Sequence, residues 1–504
     1  AVRSCTRIVR RTLRPFPRGL YSFGGAHSVR RRATAPRRGA PRTPPRAQTG
    51  TRQSSRRVAA EDREAARAGA SIVETRTSGG SEGAERRKGV GKGRVCSPSG
   101  ARTLNARKIF EGMELIPPPP PGDAPPSLEP RRPEPFPEAE VYRCRRDYRE
   151  VDFGDGNVVE LPVLLDPLNR VFAFVSEPPT VDDLVQRTHR EMRVGVDAAA
   201  DPTRSQFGKT MRGFYVVPPE GPPLPPRPMI VKAKVAIKLS CFLVRRMRAE
   251  ASQRSECPED PRSEIAAMQY LQEQPSAVDE LVSDEWPCPY VLPLVMALED
   301  DDFLYTVMPY CEGGELFQVA GDELLDLPVC FQYWCDMLKS LEYFRRFGFV
   351  HHDLSPENFM IHNGRCVAID FGMSRLAPRD PQTGDYTPMH HTLGGAGKVR
   401  YLTPEYFAGD PYDGFAHDLY AVACTVYVMM TQTALWRHPS PNNKEFRFVA
   451  VDGNLSVWVS HFHIANMPTE VVNLLQQMLW YNPERRLHLP EVVEGVERLK
   501  QYYT

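Results

Sequence analysis

No acidic residue precedes Glu61 in this chain of 504 residues, although arginines crowd that stretch. The net charge of +1 hides this asymmetry, because the later two thirds carry the compensating carboxylates. Overall charge therefore identifies no partner, and we predict no nucleic-acid ligand. Periodic apolar residues are scarce before about residue 112, so this part buries too little surface to offset the entropy of ordering. We predict that residues 1–140 form a disordered, basic, Arg- and Pro-rich extension.

Two other interpretations of the basic start stay open. An Arg- and Ser-rich start without acids is also typical of an organelle transit peptide. Because no methionine precedes Met113, the stretch can equally be the head of a fragment or sequence outside the natural product. The proline-rich residues 116–137 predict polyproline II structure, as a plain spacer or as a ligand for an SH3 or WW domain.

Cysteine pairs and long apolar runs are also missing. The eleven cysteines form no CxxC pair and no regular framework, which favours reduced thiols in an intracellular, cytoplasmic protein. The longest apolar run, residues 419–430, is too short to span a bilayer and predicts a buried helix instead. The histidines at 390–391, 461 and 463 lack a third ligand at metal spacing, so we expect no zinc site.

Polar residues with a phosphoryl-transfer layout lie between Val350 and Gly372. Asp353, Asn358 and Asp370 fall on one predicted strand-loop-strand unit. Two carboxylates and an amide at this spacing can hold a nucleophilic hydroxyl and two Mg²⁺ ions around a triphosphate. A hairpin with solvated carboxylates is the alternative, but the pattern HxDLxxxN followed by DFG is rare by chance.

This stretch resembles the catalytic loop and the metal-binding loop of eukaryotic protein kinases, and Asp-Leu-Ser-Pro-Glu-Asn is closer to the serine/threonine type. The resemblance implies an α+β, two-lobe fold over residues 202–503, with a small β-rich N-lobe and a larger helical C-lobe. It implies ATP and Mg²⁺ as cofactors and proteins as substrates. Asp353 would accept the substrate hydroxyl proton, and Asn358 and Asp370 would bind the metal.

Upstream motifs extend the resemblance. Gly208 and Gly213 are expected to bracket a glycine-rich loop whose N–H groups approach phosphate oxygens, since glycine has no Cβ in the way. Thr210 replaces the middle glycine of that loop. Lys238, in Val-Ala-Ile-Lys, resembles the lysine that contacts the α- and β-phosphates, and Glu264 on the following helix would orient it.

The resemblance also places a hinge for adenine after a strand at residues 304–308. Met308 would be the gatekeeper, and Glu315 would reach the ribose. Tyr310 and Cys311 would offer backbone hydrogen bonds to adenine. The apolar residues expected to sandwich the base are Tyr215, Ala236 and Met360.

Residues 141–200 precede these motifs and are expected to be ordered. Segments 148–153, 158–165 and 170–175 have strand-like patterns, and Thr180 begins a predicted helix with Asp183 at its third helical position. The stretch is either a small β/α accessory module or an extension of the N-lobe, and the sequence leaves both open.

Two departures from the family pattern affect the predicted chemistry. His352 stands where an arginine usually precedes the catalytic aspartate, which weakens the case for control by an activation-loop phosphate. Ser355 replaces the lysine that usually lies on the γ-phosphate. Lys398 stands seven residues before Glu405, where a threonine is usual, so the lysine and the hydroxyl are predicted to have exchanged places.

Two rival functions remain. A pseudokinase that serves as a binding scaffold is supported by the altered glycine loop and the missing lysine, and opposed by the intact Lys238, Asp353 and Asp370. A small-molecule kinase of related fold is disfavoured by a full activation segment. That segment ends at Glu405, which is expected to form a buried ion pair with Arg486.

Overall fold

The computed structural model describes residues 130–154, 156–194, 205–219, 227–251, 260–275, 288–390, 397–464 and 467–503. Residues 1–129 of the predicted extension lie outside the described residues. They include the stretch considered as a transit peptide and most of the proline-rich tract 116–137. His391 lies outside the described residues as well.

The N-lobe is built on one eight-stranded sheet with the order β1-β7-β8-β6-β2-β3-β4-β5. Its strands are β1 (Tyr142–Arg143), β2 (Arg145–Asp152), β3 (Val158–Leu165), β4 (Val171–Phe174), β5 (Gly208–Val217), β6 (Met229–Cys241), β7 (Met296–Glu299) and β8 (Phe303–Pro309). Because β6 also pairs with β5, the strands β2 to β6 close into a ring. Alternating side chains fill its interior, among them Val151, Val163, Val171 and Val216, all buried.

Residues 141–174 are therefore part of the N-lobe sheet. β2 continues the sheet from β6 through the parallel pairs Val151↔Met229 and Asp152↔Ile230. Of the two alternatives left open by the sequence, the structure has the N-lobe extension. The N-lobe consequently begins earlier than the boundary predicted at residue 202.

Three helices flank the sheet: α1 (Val181–Val194), α2 (Phe242–Ala251) and α3 (Pro261–Glu273). The predicted cap at the start of α1 is present, because Asp183 N–H donates to Thr180 Oγ1 and Thr180 N–H donates to Asp183 Oδ2, at 3.2 and 3.0 Å. In α3, Asp260 caps the first turn by accepting from Arg262 N at 3.0 Å.

The C-lobe is mainly helical. Its α-helices are α4 (Leu316–Asp322), α5 (Leu327–Arg346), α6 (Pro404–Ala408), α7 (Gly414–Thr431), α8 (Lys444–Phe446), α9 (Leu455–His461), α10 (Thr469–Met478) and α11 (Leu489–Tyr503). Short strands lie beside the site: β9 (Phe349–Val350), β10 (Phe359–His362), β11 (Arg365–Ala368) and β12 (Arg375–Leu376).

Apolar residues at helical spacing make the C-lobe core. In α5, Phe331 and Trp334 are fully buried and their rings stack at a centroid distance of 6.4 Å, so this aromatic stripe belongs to the core. The apolar run at 419–430 is the buried centre of α7, as predicted. Among the described residues, no helix has the length and apolar character that crossing a membrane requires.

One boundary needs correction. The prediction that disorder continues to residue 140 is wrong for the described residues 130–140. Their backbone pairs with the C-lobe at Leu376 and Pro388, and Phe136 packs on the core. Apolar and hydrogen-bonding groups in a proline-rich context were sufficient to dock this stretch, although its composition is typical of a linker.

Candidate active site

Helix α7 holds the backbone of the predicted catalytic loop in place, just before Asp353. The Asp418 carboxylate accepts from the backbone N–H groups of His351 and His352, at 2.7 and 2.9 Å. These contacts hold His352 at φ 66°, a left-handed conformation that costs a non-glycine residue free energy and is found at functional sites. Burial raises the pKa of Asp418 to about 7, and the two N–H donors oppose that effect.

Asp353 is oriented by three contacts. Asn358 Nδ2 donates to Asp353 Oδ2 at 2.8 Å and to the Asp353 carbonyl at 2.6 Å. Lys398 N–H donates to Asp353 Oδ1 at 3.0 Å. Burial raises the pKa of the Asp353 carboxyl, while the Lys398 ammonium acts in the opposite direction. A carboxylate held this way points one oxygen lone pair at an approaching hydroxyl.

Lys398 and Ser355 meet as predicted. Lys398 Nζ donates to Ser355 Oγ at 2.6 Å and lies 3.6 Å from Asp353 Oδ2. Gly397 makes this approach feasible: its φ is 83°, and a Cβ there would lie 2.5 Å from the His352 carbonyl oxygen. An ammonium group therefore lies beside the predicted base, on the activation-segment side of the catalytic loop.

Lys238 bridges the two lobes. Its Nζ donates to both Glu264 oxygens, at 2.8 and 2.9 Å, and lies 3.3 Å from Asp370 Oδ1. Burial raises the pKa of Glu264, whereas the nearby Lys238 ammonium lowers the pKa of Asp370. Asp370 has φ 62°, a second left-handed residue at the site. The sequence-predicted lysine, helix glutamate and metal-loop aspartate are thus in one cluster.

Asn358 and Asp370 supply only part of the ligand set that the predicted metal requires. Among the described residues, no group of three or more His, Cys, Asp or Glu side chains is placed to hold a metal ion. Mg²⁺ usually takes one or two protein ligands and completes its shell with water and phosphate oxygens. The amide and carboxylate here match that habit, so a bound triphosphate would have to supply the remaining ligands.

An apolar cluster lies beside the predicted hinge. Cys311 is buried with Leu292 and Val367, and the predicted residues Met308 and Met360 pack against them. Ala236 pairs with Met308 across β6 and β8. The backbone of Glu315 forms an isolated antiparallel β-bridge with Met360. The Glu315 side chain is half-buried, and burial raises the pKa of its carboxyl. Tyr310 N–H already donates to the Lys234 carbonyl at 3.3 Å, so Tyr310 has no free N–H donor for adenine.

The glycine-rich loop predicted at 208–213 is wrong. Both glycines lie within β5, where Gly208 pairs with Ser240 and Gly213 with Val235. Each allows close packing of strands: a Cβ on Gly208 would lie 1.8 Å from the Leu239 carbonyl oxygen, and one on Gly213 would lie 2.6 Å from that of Ala173. The chain between β4 and β5 includes α1 in place of a short hairpin.

The position of Tyr215 also differs from prediction. Residues paired directly across antiparallel strands share a face, so Ala236 and Lys238 face the same side as their partners Arg212 and Thr210. Tyr215 lies on the opposite face, against the N-lobe core, with its ring 5.4 Å from Phe172. The sequence prediction missed Arg212, whose guanidinium lies 5.1 Å from the centroid of the Tyr310 ring. Only the β5–β6 register reveals it.

The ion pair expected at the end of the activation segment is present. Arg486 donates to both oxygens of Glu405, at 2.7 and 2.8 Å, and both side chains are mostly buried. The arginine holds the pKa of Glu405 below its usual value, although burial acts against this. Removing one partner of such a pair typically costs about 3–5 kcal/mol.

Comparison with known proteins gives one family. The model described as protein kinase domain matches residues 256–496. CBL-interacting serine/threonine-protein kinase 19 of Arabidopsis thaliana is 27% identical over 221 residues, which are 42% of this chain and 43% of that protein. 3-phosphoinositide-dependent protein kinase 1 of the same plant is 28% identical over 171 residues, 32% of this chain and 34% of that protein. The chain thus spans less than half the length of these relatives.

Proposed function

We propose that this chain, whose residues 256–496 match the protein kinase domain model, transfers the γ-phosphate of ATP to serine or threonine hydroxyls of proteins. CBL-interacting serine/threonine-protein kinase 19 is a serine/threonine kinase by name, and 3-phosphoinositide-dependent protein kinase 1 is a protein kinase by name. The loop Asp353-Leu-Ser-Pro-Glu-Asn358 also has the serine/threonine form.

The position of Lys238 carries the proposal. Its ammonium lies within hydrogen-bond reach of Glu264 and 3.3 Å from Asp370, so residues from β6, α3 and the metal-binding loop converge on one point. A scaffold that never bound a nucleotide would have no need to keep these charges together, since clustering them requires desolvation. We infer that the cluster orients the phosphates of ATP.

The transfer itself depends on positioning and charge. Asp353, held by Asn358 and Lys398, would accept the proton of the attacking hydroxyl. Mg²⁺ at Asn358 and Asp370 would neutralise phosphate charge. The Lys398 ammonium, 2.6 Å from Ser355 Oγ, would supply from the activation segment the positive charge usually provided by a lysine at position 355.

The test is transfer of labelled γ-phosphate to a degenerate peptide library. We expect labelling of serine- and threonine-centred peptides, and none of tyrosine-centred ones. The matched control is Asp353→Asn, which keeps the size of the side chain and removes the base. Absence of transfer by the unsubstituted chain, with Mg²⁺ or Mn²⁺ present, would contradict the proposal.

A binding scaffold is the second candidate, and the N-lobe favours it. Gly208 and Gly213 both lie within β5, so they form no phosphate loop. Arg212 lies on the same face of the sheet as Ala236, the residue expected to pack on adenine. A nucleotide would have to fit beneath Arg212 without help from Gly208 and Gly213, which are paired within the sheet. Thermal unfolding with and without Mg²⁺–ATP discriminates: a scaffold shows no shift, whereas bound nucleotide raises the midpoint.

A further inference from the structure

Residues 130–143, hereafter the strap, join three parts of the domain that a kinase must keep aligned. At one end the strap pairs with the activation segment, the chain from Asp370 to Glu405. At the other end its residues Tyr142 and Arg143 form β1, which pairs with β7 in the N-lobe. Between these ends it crosses α3, the helix that carries Glu264.

The backbone of the strap binds the activation segment at two places. Glu134 exchanges two backbone hydrogen bonds with Leu376, at 3.1 and 3.2 Å. Arg131 N–H donates to the Pro388 carbonyl at 2.9 Å, and the Arg131 carbonyl accepts from His390 N–H at 3.0 Å. These ladder-like bonds fix the direction in which the strap leaves the C-lobe.

Phe136 is the apolar anchor of the strap. Its ring centroid lies 5.6 Å from that of Tyr270 in α3 and 5.4 Å from that of Phe349 in β9. Phe349 in turn contacts Phe371 of the metal-binding loop at 5.9 Å. Tyr270 Oη donates to the Phe347 carbonyl at 2.8 Å, which ties α3 to the C-lobe beside the Phe136 ring. Phe136 thus wedges between the helix and the catalytic stretch.

A polar clamp holds α3 at Gln269, the residue next to Tyr270. Glu140 N–H donates to Gln269 Oε1 at 2.9 Å, and Gln269 Nε2 donates to the Glu140 carbonyl at 2.7 Å. Gln269 and Tyr270 follow Glu264 on the same helix, so any rotation or outward shift of α3 that moves them also moves the Glu264 carboxylate.

We propose that the strap holds α3 in the position where Glu264 meets Lys238, with Phe136 as the positioning residue. The proposal rests on the proposed kinase function for its effect on rate, but not for its effect on α3. Without Phe136, the ring contacts to Tyr270 and Phe349 are lost and α3 opens more often. Glu264 then leaves Lys238, and the lysine no longer orients the phosphates.

The experiment compares full-length Phe136→Ala with Phe153→Ala. Phe153 is a suitable control because it too packs against an aromatic ring, that of Phe214 at 5.2 Å, but on the β2–β6 ring of strands. Hydrogen exchange is measured over residues 261–273 and, as an internal reference, over 489–503. In Phe136→Ala we expect exchange in 261–273 to be about tenfold faster, with 489–503 unchanged. Phe136→Leu should restore most of the protection.

The kinetic arm tests whether Phe136 acts through Glu264. Phe136→Ala should lower kcat about tenfold, and adding Glu264→Gln to it should cost far less than Glu264→Gln costs alone. Additive losses would overturn the proposal, as would unchanged exchange over 261–273 or equal acceleration by Phe153→Ala. If Phe136→Ala does not fold, Gln269→Ala at the clamp provides the same exchange test. A chain that transfers no phosphate defeats the proposed function, and the exchange result then decides the strap alone.

Discussion

The catalytic stretch of the C-lobe and the strands of the N-lobe differ in how much the residues themselves reveal. In the C-lobe, Asp353, Asn358 and Asp370 lie where the motif predicted. In the N-lobe, the glycines thought to form a phosphate loop lie inside β5. The family match begins at residue 256, after Lys238. The chemistry of the C-lobe requires particular side chains, whereas a phosphate loop works through its backbone, and glycines mark many kinds of close backbone approach.

The largest effect that the comparison predicts is at Asp370. Asp370→Asn keeps the volume of the side chain but removes the charge of a metal ligand and the partner of Lys238 at 3.3 Å. Phosphate transfer should fall by roughly two orders of magnitude or more. Circular dichroism and thermal unfolding check that the fold is intact. A variant that transfers phosphate at a comparable rate would remove the kinase assignment.

Next in size is the exchanged lysine. Lys398→Thr removes the ammonium beside Ser355 and Asp353, and we expect a loss of about 10²-fold in kcat, the scale for one preorganised charge. Adding Ser355→Lys should recover much of it, because the two positions meet at 2.6 Å. A double-mutant cycle on phosphate transfer measures the coupling. Simple addition of the two effects, or an unchanged rate in Lys398→Thr, would show that this lysine is only a surface cation.

For the N-lobe, the prediction concerns the effect of Gly213 on stability. An added Cβ would lie 2.6 Å from the Ala173 carbonyl oxygen and 2.8 Å from Ile237 Cδ1, so Gly213→Ala should destabilise the fold by about 1–3 kcal/mol. Gly321→Ala, where no atom lies within 4 Å of the new Cβ, is the matched control. Urea unfolding measures both. If Gly213 lay in a phosphate loop, Gly213→Ala would instead raise KM for ATP and leave stability unchanged.

How much the sequence could predict follows from the range of each interaction. The cap of α1, the buried apolar run of α7 and the catalytic motif depend on residues a few positions apart, and the sequence predicts all three. The pairing of residues on neighbouring strands is harder to predict. Arg212 lies opposite Ala236 because of the register between β5 and β6, and these strands are joined by a connection that includes residues 218–228. Docking of residues 130–140 depends on Phe349 and Leu376, more than 200 positions away. Single-sequence patterns carry no information on such pairs.

The smallest predicted effect concerns His352, where the C-lobe itself departs from the family. His352 is buried, its Nε2 lies 2.8 Å from Tyr412 Oη, and its ring packs near His417 at 5.8 Å. Burial lowers the pKa of His352 well below its usual value and that of His351 to about 4. Below about pH 6.5 the unfolded chain therefore takes up protons that the folded chain refuses. This part of the stability is complete above about pH 6.5 and is lost as the pH falls towards the folded-state values.

His352→Asn, which keeps a side chain that can hydrogen-bond with the Tyr412 hydroxyl, should make that loss shallower. Each such histidine contributes a slope of up to about 1.4 kcal/mol per pH unit, so the variant should recover roughly 1–2 kcal/mol relative to the parent between pH 7 and pH 5. Urea unfolding at several pH values measures the two slopes, with His461→Asn, at an exposed position, as the control for loss of a histidine. Arg375 and His417 favour the neutral ring by repulsion, and they remain in the variant. Parallel slopes for parent and variant would mean that His352 takes up its proton as readily in the folded as in the unfolded chain, which would contradict a lowered pKa.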